Sequence, residues 1–153
     1  MGNWTRKAAA TVSAAAALTS LGVAPANAAA VPKHCVLNVG TGVQHCSSSR
    51  TALTARADGD VVQGTFFDGP DYTGNSLTIT GPELCKKDGW VNWQFDLGDD
   101  WKNKISSVQP WGNCWIWLYP EPNLSGDRDG PFKENTGNVG SFMDDRTQSI
   151  GFS

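Results

Sequence analysis

The stretch FFDGPDYTG at residues 66–74 returns 52 residues later as LYPEPNLSG at residues 118–126. Laid over one another, Phe67 meets Tyr119, Pro70 meets Pro122, Asp71 meets Asn123, Thr73 meets Ser125 and Gly74 meets Gly126. A duplicated unit constrains a fold more than any single propensity, because two like units each have an apolar face that the other must cover. Each copy ends an apolar run on an aromatic and turns at Pro. It then brings a second apolar side chain (Tyr72 or Leu124) back over the first and closes on a Gly, the residue that reaches positive φ without steric cost. A Ser-containing segment follows each copy, KNKISSV at 102–108 and DDRTQSI at 144–150.

From Val61 onward the chain reads as all-β. VVQGTFF, NSLTIT, KISSVQPW, CWIWLY and TQSIGF are short, rich in β-branched and aromatic residues, and separated by Gly, Pro, Asn and Asp. Short strands with frequent turns imply a sandwich or a Greek-key arrangement. At these residues the chain resembles the βγ-crystallins, whose Greek-key motif is an aromatic, four residues, a second aromatic, one residue and Gly. Phe67, Tyr72 and Gly74 match it fully; Tyr119, Leu124 and Gly126 match it with Leu in place of the second aromatic. The resemblance covers about residues 61–153 and implies two Greek keys in one sandwich. It does not cover residues 29–60, where CVLNVGTGVQHC reads as a small hairpin turning at Gly40-Thr41. Residues 47–59 suit a short helix with a Ser cap and Gly59 as its stop.

Microbial members of that family often carry a calcium motif of two Asn/Asp, two arbitrary residues, Ser/Thr and Ser. Residues 102–107 and 144–149 resemble it. The resemblance implies weak calcium sites built from Asn103, Ser106, Asp144, Asp145 and Gln148, with Lys102 and Gln148 departing from the pattern. The bland alternative is that these Ser and Asp residues only cap loops.

The repeat is uneven. Gly74 to Ser107 spans 33 residues, whereas Gly126 to Ser149 spans 23. The surplus falls around GPELCKKDGWVNWQFDLGDDW and carries Cys85, Trp90 and Trp93, so partner binding is expected at Trp90 and Trp93 on an enlarged loop. Trp115 and Trp117 alternate with Ile116 and are expected to face one side together, as core.

Residues 1–28 read as an export signal: Arg6 and Lys7 without an acid, a small-residue apolar run at 8–23, and Ala26-Asn27-Ala28 as the cleavage site. The mature chain would be residues 29–153, an extracellular protein with two disulfides; locality pairs Cys35 with Cys46 and Cys85 with Cys114. Its ten basic against fifteen acidic residues give −5, without a basic cluster, which argues against a nucleic-acid partner. His34 and His45 each adjoin a cysteine but would point to opposite strand faces from it, a poor zinc arrangement. Both lie in the leader, and neither GxSxG nor a paired-His helix motif occurs, so no enzyme is expected; Glu83, Glu121 and Glu134 are the carboxylates a glycosidase would have to use. The expected function is that of a secreted, monomeric, non-enzymatic binding module that meets a secreted protease or a cell-wall glycan away from any membrane. Crystallin-fold metalloproteinase inhibitors and killer-toxin-like proteins resemble the domain too, and imply an inhibitor or a toxin as alternatives; Trp90 and Trp93, which could stack on sugars, leave carbohydrate binding as another.

Overall fold

The computed structural model describes residues 33–51 and 60–153. The proposed export signal at 1–28 and most of the short helix expected at 47–59 lie outside the described residues. Nine strands are described: β1 (His34–Asn38), β2 (Gln44–Ser47), β3 (Val61–Phe67), β4 (Ser76–Gly81), β5 (Trp93–Asp96), β6 (Ser107–Pro110), β7 (Ile116–Tyr119), β8 (Asp129–Phe132) and β9 (Ser149–Phe152). They form two sheets, ordered β2-β1-β4-β3-β6 and β5-β9-β7-β8. No helix among the described residues is long and apolar enough to cross a membrane.

Alternation along the strands builds the core. Phe66, Leu77, Ile79 and Val108 from the first sheet meet Ile116, Leu118, Ile150 and Phe152 from the second, all buried. The rings of Phe66 and Phe152 cross edge to face at 6.2 Å. Each side chain of this size contributes about 1.5–3 kcal/mol by leaving water. The two halves are interlocked as well as stacked. β5, which follows β4 in the first half, pairs with β9 of the second half, Trp93 opposite Phe152 and Phe95 opposite Ile150. The second half reciprocates at the edge of the first sheet: Thr136 exchanges backbone hydrogen bonds of 3.0 and 2.9 Å with Val108, and the Val139 N–H donates to the Ser106 carbonyl at 2.9 Å. These are two Greek keys, each closing the other's sheet.

Two strands carry little sequence signal. β8 contains Gly130 and a cis Pro131, and β5 lies inside the stretch that the spacing marks as surplus. The surplus is therefore confined to part of that stretch: residues 82–92 form the loop, while Trp93–Asp96 are a strand that the sandwich uses.

The N-terminal hairpin turns about Gly40-Thr41, with Cys35 opposite Cys46. Its connection is wider than a two-residue turn: the Asn38 N–H reaches the Val43 carbonyl at 3.0 Å, and the Asn38 side chain accepts the Thr41 N–H at 2.9 Å. β1 then pairs in parallel with β4, from His34 opposite Ser76 to Asn38 opposite Thr80. Cys35 and Leu37 join the common core. Disulfides link Cys35 to Cys46 and Cys85 to Cys114.

Candidate functional site

The repeated stretches form two equivalent corners. At the first, Phe67 and Tyr72 pack edge to face at 5.7 Å, and Asp71 and Tyr72 both take left-handed backbone at φ 52 and 63. At the second, Asn123 and Leu124 do so at φ 55 and 57. Asp and Asn suit the first of these positions because their short polar side chains tolerate that region best after Gly. Gly74 and Gly126 close the corners at φ 76 and 79. The last Ser of each downstream motif clasps its corner. Ser107 Oγ accepts the Tyr72 N–H at 3.0 Å and donates to the Gly69 carbonyl at 2.7 Å. Ser149 Oγ accepts the Leu124 N–H at 3.0 Å and donates to the Glu121 carbonyl at 2.6 Å.

The two motifs also bond to each other. The Asn103 N–H donates to the Thr147 carbonyl at 2.8 Å, and the Asp145 N–H to the Ile105 carbonyl at 3.2 Å. Asn103 and Gln148 share one concavity of about 580 Å³ with Glu121 and Asp127, and the Arg146 guanidinium lines it too. Its amide and carboxylate oxygens are the hard donors that calcium takes, while Arg146 opposes a cation there. Lys102 is turned to Asp99, 3.2 Å away. Ser106 is buried and Asp145 exposed beside Ile105. Asp144 is half-buried, and its Oδ1 has no hydrogen-bond partner among the described residues. Among the described residues no three His, Cys, Asp or Glu side chains converge to hold a metal. A cation here would have the carboxylates of Glu121 and Asp127 and the amide oxygens of Asn103 and Gln148 set against the Arg146 charge, a set that fits weak binding.

The loop of residues 82–92 is pinned at both flanks. The Cys85 N–H donates to the Gly112 carbonyl at 3.0 Å and the Asn92 N–H to the Phe152 carbonyl at 2.7 Å. The Asn113 side chain donates to the Cys85 carbonyl at 3.0 Å. Within it, Asp88 accepts the Trp90 N–H at 2.9 Å. Trp90 is 79% exposed and Leu84 59%. The two tryptophans expected to act together differ: Trp93 opens β5 half-buried, packed against the core. Trp115 and Trp117 do share a face, but it is the outer face of the second sheet; Ile116 and Leu118 take the core positions instead. Lys133 lies over the Trp115 ring and Arg128 over the Trp117 ring, each at 4.0 Å, and the Trp117 N–H donates to Ser153 Oγ at 3.1 Å.

The docked hairpin places a histidine beside a serine, which sequence distance did not suggest: His34 Nδ1 stands 2.8 Å from Ser76 Oγ. Arg50 Nε donates to the same nitrogen at 3.4 Å, and burial together with the Arg50 charge lowers the His34 pKa. Both effects make it a poorer base, whereas a general base needs a pKa close to the working pH. Ser76 is itself buried.

No protein-family model matches the chain, and no curated protein matches it. Among solved structures it is similar to a βγ-crystallin domain from Clostridium beijerinckii, at 17% identity over 59% of this chain and 95% of that one, with a TM-score of 0.47. A βγ-crystallin domain from Flavobacterium johnsoniae is similar at 18% identity over 59% of this chain and 92% of that one, TM-score 0.45. The N-terminal domain of protein S is similar at 19% identity over 60% and 94%, TM-score 0.46. The likeness is one of fold.

Proposed function

We propose that this protein is an exported, monomeric, non-enzymatic binding module whose βγ-crystallin-like sandwich presents residues 82–92 to a partner outside the cell. The observation that carries this reading is Trp90: a ring that is 79% exposed, on a loop held at both flanks by backbone hydrogen bonds and the Cys85–Cys114 bridge. An exposed aromatic on a pre-ordered loop loses little entropy on binding and has a large apolar area to bury, which is the profile of an interface anchor. Export is supported by the pattern of residues 1–28 and by two disulfides, which persist in oxidising compartments. Calcium is an accessory in this reading, held weakly on the Asn103–Gln148 side.

A secreted peptidase is the favoured partner over a glycan. The exposed Lys86 and Lys87 stand between two pinned flanks, as a segment offered to a peptidase cleft would have to. The test is capture from the producer's culture fluid and from its isolated cell wall, using the mature protein and its Trp90→Ala variant. A peptidase retained by the first and lost with the second supports the reading, with inhibition then measured directly. Equal retention by both sinks the loop as the binding surface.

A further inference from the structure

We infer that the outer face of the five-stranded sheet binds a small acidic sugar, a single hydroxyl-rich ring bearing a carboxylate. The site is separate from the 82–92 loop and exists because the N-terminal hairpin widens the sheet. A groove of about 190 Å³ runs across β1, β4, β3 and β6 there.

Its two ends are chemically unlike. At one stands Trp111, 44% exposed, with its indole N–H donated to Thr65 Oγ1 at 3.2 Å, so the ring is held in place as a platform. At the other stands Arg50. Its guanidinium lies 4.9 Å over the Phe67 ring, and Nη2 donates to the Tyr72 carbonyl at 3.2 Å. Nη1 makes no hydrogen bond among the described residues. Among the described residues no carboxylate lines the groove, and the one salt bridge is Lys102–Asp99. The Arg50 charge is thus anchored, preset in direction and lacking a carboxylate partner among the described residues. Because His34 Nδ1 accepts from Arg50, the neutral imidazole carries its proton on Nε2 and adds no second charge.

The floor between the ends alternates in character. Val36 and Val62 give apolar patches; Thr65 and Thr78, with hydroxyls 3.2 Å apart, and Gln109 give donors and acceptors. A sugar presents that same mixture, C–H faces to an aromatic or aliphatic surface and hydroxyl edges to polar groups. The free donor of a fixed guanidinium selects a carboxylate, and charge-assisted bonds of this kind are about twice as strong as neutral ones.

The test titrates the mature protein with glucuronate, glucose and benzoate by calorimetry, and maps each on backbone amide NMR shifts. Glucuronate binding at least tenfold tighter than either of the others, with shifts at Thr65, Thr78 and Gln109, is the expected result. Arg50→Gln should bring glucuronate down to the glucose level, Trp111→Ala should remove both, and Trp90→Ala should change neither. If glucose or benzoate binds as tightly as glucuronate, or if the shifts fall elsewhere or are absent at tens of millimolar, the inference is overturned. The wild-type shift map decides the matter even if Arg50→Gln folds poorly. A failure here leaves the 82–92 reading standing, since that rests on Trp90.

Discussion

Replacing Ser107 with Ala removes one oxygen that satisfies the first corner from both sides. Ser107 is fully buried; its hydroxyl accepts the Tyr72 N–H at 3.0 Å and donates to the Gly69 carbonyl at 2.7 Å. The variant strands one backbone donor and one acceptor. An unsatisfied buried polar group costs about 1–3 kcal/mol. Both bonds are only part-buried, so water recovers some of that loss. The expected destabilisation is therefore about 2–3 kcal/mol rather than the sum of two full penalties. Ser149→Ala should cost the same, because Ser149 does the same work for Leu124 and Glu121. Ser47→Ala, whose hydroxyl accepts the exposed Ser49 N–H and makes no other hydrogen bond among the described residues, should stay within about 0.5 kcal/mol. Urea unfolding followed by tryptophan fluorescence reads all three as shifts in midpoint at constant slope. Losses under about 0.5 kcal/mol at both clasps would refute the cost assigned to the stranded groups, and a loss in one half alone would falsify the equivalence of the two corners.

Trp90→Ala should leave stability within about 0.5 kcal/mol, whereas Trp93→Ala should lose about 1–3 kcal/mol, measured by the same unfolding assay; equal losses refute the division between loop and strand. Opening the Cys85–Cys114 bridge by a double Ala substitution should cost about 3.5 kcal/mol, and opening Cys35–Cys46 less, about 3 kcal/mol, since the loops closed span 29 and 11 residues. The reverse order would show that entropy of the open chain is not what the bridges act on. Calcium should bind the chelated protein at about 10⁻⁴ M or weaker and raise its Tm, and Asn103→Ala should remove the shift; a Tm indifferent to millimolar calcium refutes the site. His34 has a lowered pKa from burial first and Arg50 second, so its contribution is fully present above the unfolded value of about 6.5 and is lost as pH falls through the folded value. His34→Asn should flatten the fall in stability between about pH 7 and 5; an unchanged slope refutes the assignment.

The corners were legible in the sequence because their cause is local: a turn that needs left-handed backbone must place Asp, Asn or Gly where the chain can tolerate it. The bridges were legible for a similar reason, since each pair flanks one segment. What the sequence hid is non-local. β1 finds its partner β4 across 42 positions, and a parallel pairing leaves no turn signature behind. Ser76 and Arg50 therefore gave no sign that they would gather around His34, nor Trp111 that it would line the same groove. β5 was masked by its surroundings, four residues of strand after a loop that carries Lys86, Lys87, Asp88 and Gly89. Trp115 and Trp117 misled because alternation tells which residues share a face, not which face looks inward. Lys133 and Arg128 cover the outer one, and long basic stems do this well while keeping their charge in water.

The way residues 82–92 are fastened bears on what happens if a peptidase cuts there. A break between Lys87 and Asp88 creates two new termini, and neither is free to leave. The upstream end stays bonded through Cys85 to Cys114, and the downstream end stays bonded through the Asn92 N–H to Phe152 and through the ladder of β5 on β9. Both termini remain next to the enzyme that made them, so cleavage yields a clipped form of the same folded body instead of fragments. Religation competes with departure in such an arrangement, and mass analysis would find the intact and clipped forms together until the bridge is reduced.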